Sequence, residues 1–102
     1  MMETLYEEAK ALLPQMSAWR REIHRFPELD LALSRTSAFV QARLAELGVP
    51  FATLVDGNCV VAAIGQGSPC IMLRADMDGL PIREESGEPF SSENGRMHAC
   101  GH

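Results

Sequence analysis

The stretch Cys59-Val60-Val61-Ala62-Ala63-Ile64-Gly65-Gln66-Gly67-Ser68-Pro69-Cys70-Ile71-Met72-Leu73 decides how this chain is read. Two apolar runs flank a break of glycine, serine and proline, and neither run alternates polar with apolar residues. Strands of that texture are buried on both faces, as in a sheet covered by helices. Phe51 to Val55 is a further short β-rich run, separated from Cys59 by the turn sequence Asp56-Gly57-Asn58. Three strands are therefore expected, at residues 51–55, 59–64 and 70–74, with Gly65-Gln66-Gly67 turning between the last two.

Towards the N-terminus the period lengthens to that of a helix. Leu5, Ala9, Leu12, Leu13, Met16, Trp19, Ile23 and Phe26 fall on one stripe, with Glu8, Lys10, Gln15, Arg21, Glu22 and Arg25 around the other side. Thr4-Leu5-Tyr6-Glu7 has the form of a capping box, which predicts a start at Thr4. Pro14 removes one backbone bond and clashes with the preceding turn, so a kink or short break is expected there. Phe26-Pro27 ends the segment, because the residue before proline is pushed out of the helical region. Ser34 is the expected cap of a second helix with apolar face Phe39, Val40, Leu44 and Leu47, and Gly48-Val49-Pro50 is its stop. The fold class is thus α/β: two N-terminal helices followed by a three-stranded portion of a mixed sheet.

The 102 residues are 46% hydrophobic and 23% charged, which suits one small globular domain. Fourteen acidic and nine basic residues give a net charge of -5 with no basic stripe, so nucleic acid is not an expected partner. No apolar run is long enough to span a membrane, and Met1-Met2-Glu3-Thr4 lacks the basic-then-apolar form of a signal sequence; a cytoplasmic location is expected. Cys59, Cys70 and Cys100 are an odd number of cysteines, two of them in apolar stretches, so reduced thiols are expected rather than a disulfide framework. From Ala75 onward Asp, Gly, Pro, Ser and Glu dominate without periodicity. That texture is a long loop, and loops of this length in small domains are often functional.

Chemistry concentrates at the two ends of this loop. His98, Cys100 and His102 occupy alternate positions, so an extended backbone would point all three to one face. Imidazole and thiolate are the ligands zinc-like ions prefer, although an ordinary terminus with surface histidines has the same spacing. Asp76-Met77-Asp78 repeats the alternation with carboxylates at the end of an apolar run, where they could bind metal, orient a histidine or cap the loop. His24 reads as a histidine at a helix C-terminus, interacting with free carbonyls and the helix dipole. There is no nucleophile elbow, phosphate-binding glycine loop or dinucleotide fingerprint.

Four stretches together resemble a known family: Arg20-Arg21-Glu22-Ile23-His24-Arg25-Phe26-Pro27-Glu28-Leu29, Leu73-Arg74-Ala75-Asp76-Met77-Asp78-Gly79-Leu80-Pro81-Ile82, Glu84-Glu85-Ser86-Gly87-Glu88-Pro89-Phe90 and Met97-His98-Ala99-Cys100-Gly101-His102. They are similar, in order and spacing from about residue 18 onward, to the start of N-acyl-amino-acid amidohydrolases. These form the hippurate hydrolase and indole-3-acetyl-amino-acid hydrolase branch of the aminoacylase and carboxypeptidase-type metallopeptidases. The resemblance implies a zinc-exopeptidase-like catalytic domain, of which residues 1–102 would be the N-terminal part. It further implies a two-metal site in which Cys100 and His102 are ligands, with zinc, manganese, nickel or cobalt as the divalent ions. Asp78 matches an aspartate that orients the site without touching metal, and Asp76 stands where the wider family has a histidine ligand.

Two local departures are Asp30-Leu31-Ala32-Leu33-Ser34, where the branch usually carries a glutamate, and Gly79 in place of an alanine. Family members are several times longer. A further aspartate, a glutamate pair including the general base, two histidines and a lid and dimerisation domain would all lie beyond His102. The expectation is therefore a metal-dependent hydrolase of N-acyl amino acids or small peptides, homo-oligomeric in its longer form, with residues 1–102 inactive alone. The rival expectation is a stand-alone binding or structural module that associates through exposed strand edges.

Overall fold

The computed structural model describes residues 1–102, ordered as three helices and a hairpin: α1 (Met2–Ala11), α2 (Leu13–Arg25), α3 (Ser34–Glu46), β1 (Phe51–Leu54) and β2 (Cys59–Ala62). The break between α1 and α2 falls at Leu12, with Pro14 in the first turn of α2, where its missing N–H costs nothing. The capping box at Thr4 is not used. Helix α1 begins at Met2, two residues before the expected start, with no side-chain cap and with Glu3 in its first turn.

Helix α3 starts where expected but is capped differently. Ser34 is its first residue, and the carboxylate of Glu28 accepts the Arg35 amide at 3.2 Å and the Thr36 amide at 2.6 Å. A side chain from the preceding loop thus satisfies the free amides that Ser34 was expected to serve. At the other end, Gly48 at φ +71° donates to Ala45 O and Val49 donates to Leu44 O, the paired closing bonds of a left-handed helix stop.

β1 and β2 pair antiparallel with Phe51 opposite Ala62 and Leu54 opposite Cys59. Their turn is fastened to the start of α3: Asn58 Oδ1 accepts the Leu33 amide at 2.8 Å, and the Ser37 hydroxyl donates to Gly57 O at 2.5 Å. Leu33, Thr36 and Ser37 are buried there, and α3 packs along β2.

The expected third strand does not form, so the sheet has two strands, and Gly65-Gln66-Gly67 is not a hairpin turn. Residues 70–74 have no ladder partner, and a strand needs one. Ile71, Met72 and Leu73 are 86%, 84% and 94% exposed. The both-face apolar pattern predicts a strand covered by helices, and instead no other element of this chain lies against the segment. Seven residues are buried, with Leu33 the one large buried aliphatic side chain. The accessible surface is 8138 Å², against about 5,700 Å² for a compact monomer of this mass. The radius of gyration is 15.5 Å, against about 13 Å. No helix is long and apolar enough to cross a membrane.

The cap on α3 is testable. E28A should lower stability by about 1 to 2 kcal/mol, measured by urea unfolding, with the loss of helical circular dichroism confined to about one helix's worth. Unchanged stability would mean that Glu28 is not the cap.

Candidate functional site

The long loop closes on itself. Leu80 and Met97 exchange two backbone hydrogen bonds, Leu80 N to Met97 O at 2.8 Å and Met97 N to Leu80 O at 2.9 Å, bringing the Asp76-Met77-Asp78 and His98–His102 stretches together. The base of this bridge sits on the end of α2. Gly79 donates to Glu28 O at 2.7 Å, and Asn94 donates its side-chain amide to Pro27 O at 2.9 Å. Gly79 is buried. A Cβ there would lie 3.1 Å from both Met97 O and the Pro27 Cβ, so glycine lets the three backbones meet.

Of the expected site residues, His102 lies beside Asp76, its Nδ1 3.4 Å from Asp76 Oδ2, while Asp76 Oδ1 accepts from Arg74 at 2.6 Å. Cys100 is an exposed free thiol. Asp78 is exposed and lies beside His98 rather than His102. The expected convergence of His98, Cys100 and His102 is not built: no three His, Cys, Asp or Glu side chains come close enough to hold a metal ion. The donor chemistry of Cys100, His102 and Asp76 suits a borderline divalent ion, as part of a ligand set.

His98 points into the molecule, leaving its Nε2 buried without a partner. Burial, then the charge of nearby His24, pulls its pKa below the usual histidine value, against the opposing pull of Asp78.

The most elaborate polar cluster is one the sequence reading passed over. His24 donates from Nε2 to Glu84 Oε1 at 2.8 Å, linking α2 to the loop across sixty residues. Glu84 Oε1 also accepts the Ser92 amide at 2.8 Å, and Oε2 accepts the Ser86 hydroxyl. The Glu84 side chain is 1% exposed. Phe90 meets His24 edge-on, with ring centroids 5.7 Å apart, and Arg21 lies over the same Phe90 ring. His24 is therefore the hydrogen-bond partner of Glu84, not a free helix-end histidine. Hydrogen bonds from Ser86 and Ser92 lower the Glu84 pKa to about 2. No local pattern marks this pair, since Glu84 and Glu85 look alike in sequence.

Residues 72–102 match the sequence profile of Peptidase family M20/M25/M40. Over 86% of its length the chain is 43% identical to a Bacillus subtilis (strain 168) protein named "Putative amidohydrolase YhaA", covering 23% of it. It is 40% identical over 97% of its length to the "N-acetyl-L-cysteine deacetylase" of the same organism, covering 26%. A Rhodococcus jostii (strain RHA1) protein named "Putative glutamate--cysteine ligase 2-3" is 41% identical over 82% of the chain, but only 11% of that protein is covered. The chain thus spans about a quarter or less of these curated relatives.

The Glu84 cluster carries a pH signature. A carboxylate whose folded pKa lies near 2, below the usual 4.5, contributes stability that is fully present above about pH 4.5 and is lost as pH falls towards 2. E84Q should therefore flatten the acid limb of a stability-against-pH curve while leaving its shape above pH 5 unchanged. An acid limb identical to the parent's would place the titrating group elsewhere.

Proposed function

We propose that this chain is the N-terminal portion of the catalytic domain of a divalent-metal-dependent amidohydrolase, whose longer form cleaves the amide bond of N-acyl amino acids or small peptides. The observation that carries this reading is the closure of the loop by Leu80 and Met97. It sets Asp76 against His102 within residues 72–102, the stretch that matches the peptidase profile. The substrate class is argued from the amidohydrolase and deacetylase names of the relatives and from the four resembling stretches.

On this reading Cys100 and His102 are metal ligands. Asp76 Oδ2, 3.4 Å from His102 Nδ1, is placed to orient that ring as a ligand, as carboxylates do for ligating histidines. Asp78 orients the same region through its place beside His98. A divalent ion, when bound, supplies polarisation of the scissile carbonyl and activation of water. Thiolate favours zinc, manganese, nickel or cobalt over calcium or magnesium. The remaining ligands, the general base and the lid and dimerisation domain are assigned to chain beyond residue 102.

A second reading rests on the 71–73 run, whose exposure suits a module that associates through an uncovered apolar segment. The two readings separate on chemistry. The product of the complete reading frame, supplied with zinc or manganese, should release free amino acid from an N-acetyl or N-benzoyl amino acid. C100S and H102A should each lower kcat/KM at least about 100-fold. Residues 1–102 alone should show no hydrolysis above the metal blank. A full-length product without amidase activity, or with activity indifferent to both substitutions, would reject the assignment.

A further inference from the structure

Glu84 is a fully covered carboxylate in a chain that buries almost nothing else. Taking a carboxylate out of water costs several kcal/mol unless its oxygens are fully engaged. The donors that engage it come from two places: His24 on α2, and Ser86 and Ser92 within the loop. Ser92 in turn donates its hydroxyl to Arg96 O, one residue before the bridge at Met97. The carboxylate therefore fixes the inside of the loop to the helix, while Leu80 and Met97 fix its mouth. What leaves that mouth is the segment bearing His98, Cys100 and His102, and His98 stands 6.4 Å, ring centre to ring centre, from His24 itself.

The Glu84–His24 hydrogen bond does not serve a hydrophobic core. The rings beside it are Phe90, His24 and His98, and there is no aliphatic core around them. The pair instead joins two pieces of chain sixty residues apart, at the point where the second emerges towards the candidate ligands.

We infer that Glu84 is a positioning residue: through His24 and Ser92 it sets the direction in which residues 97–102 leave the loop, and so the placement of Cys100 and His102. This rests on the reading of those two residues as metal ligands. Glu84 neither touches the ion nor takes part in proton transfer, and its effect is transmitted through the Leu80–Met97 bridge.

Cobalt(II) titration of the product of the complete reading frame tests this, because the thiolate-to-cobalt absorption band reports on Cys100 independently of any hydrolysis. Amide exchange at Met97 reports on the bridge. E84A should weaken cobalt binding by about 10- to 100-fold and speed exchange at Met97. E84Q, which keeps an acceptor oxygen for His24 and Ser92 while its amide faces Ser86, should restore most of both. If E84A loses its helical circular dichroism, E84D decides in a folded chain. It keeps the charge but cannot reach His24 and Ser92 together, so the same weakening is expected. Parent-like affinity in E84A, or in folded E84D where E84A does not fold, overturns the role given to Glu84. A parent that shows no cobalt band removed by C100S instead overturns the ligand assignment on which the inference rests.

Discussion

Pro27 and Glu28, just beyond the end of α2 at Arg25, make four hydrogen bonds to three different parts of the chain. The Pro27 carbonyl holds Asn94, the Glu28 carbonyl holds Gly79, and the Glu28 carboxylate holds the first amides of α3. Pro27 is fully buried beneath them. Helix α2, helix α3 and the long loop are oriented through this elbow, and the conformation of the elbow is itself restricted, because proline fixes its own φ. Burial opposes ionisation of Glu28, but the Thr36 side chain, the Thr36 and Arg35 amides and the Arg35 charge outweigh it and keep its pKa below the usual value.

A fold organised by polar contacts at one elbow has consequences for energetics. Hydrogen bonds contribute about 1 kcal/mol each in net terms, but leaving a buried partner unsatisfied costs more than that. The structure is therefore specific without being strongly cohesive: its contacts choose one arrangement over others while its apolar surface remains open. The two-stranded hairpin illustrates the division. Its turn is held to α3 by Asn58 and Ser37, whereas Val61 on β2 and the whole 71–73 run are largely exposed. An isolated hairpin of this kind is marginal unless something packs on it, and here only α3 does.

How much of this was legible in sequence follows from the range of the forces involved. The N-terminal helical segments, a break close to Pro14, the stop at Gly48 and the turn at Asp56-Gly57-Asn58 depend on neighbours within a few residues, and each is found, although the apolar stripe of the first two helices stays largely exposed. The start of α1, the cap of α3 and the third strand were misplaced. A capping box competes with simple extension of the helix towards Met2, a cap can come from Glu28 as easily as from Ser34, and a strand exists only beside another. At the candidate site, the proximity of the Asp76 and His102 stretches could be expected only through resemblance. The Glu84–His24 pair joins residues sixty apart, and nothing local distinguishes Glu84 from its neighbour Glu85.

The contrast between Asp76 and Glu84 shows what each is suited to. Asp76 is partly exposed, shared between Arg74 and His102 at a long 3.4 Å, and free to change partners when its surroundings change. Glu84 is covered, engaged at both oxygens and strongly acidic, so it stays charged and still across the neutral range. Rigid support belongs behind a site and adjustable donors belong at its surface, because a ligand atom must move the last few tenths of an ångström to meet an ion while its supporting backbone must not. The chain has this order. The covered Glu84 carboxylate lies inside the loop, Leu80 and Met97 bridge its mouth, and the more exposed groups Asp76, Cys100 and His102 lie on the far side of that bridge.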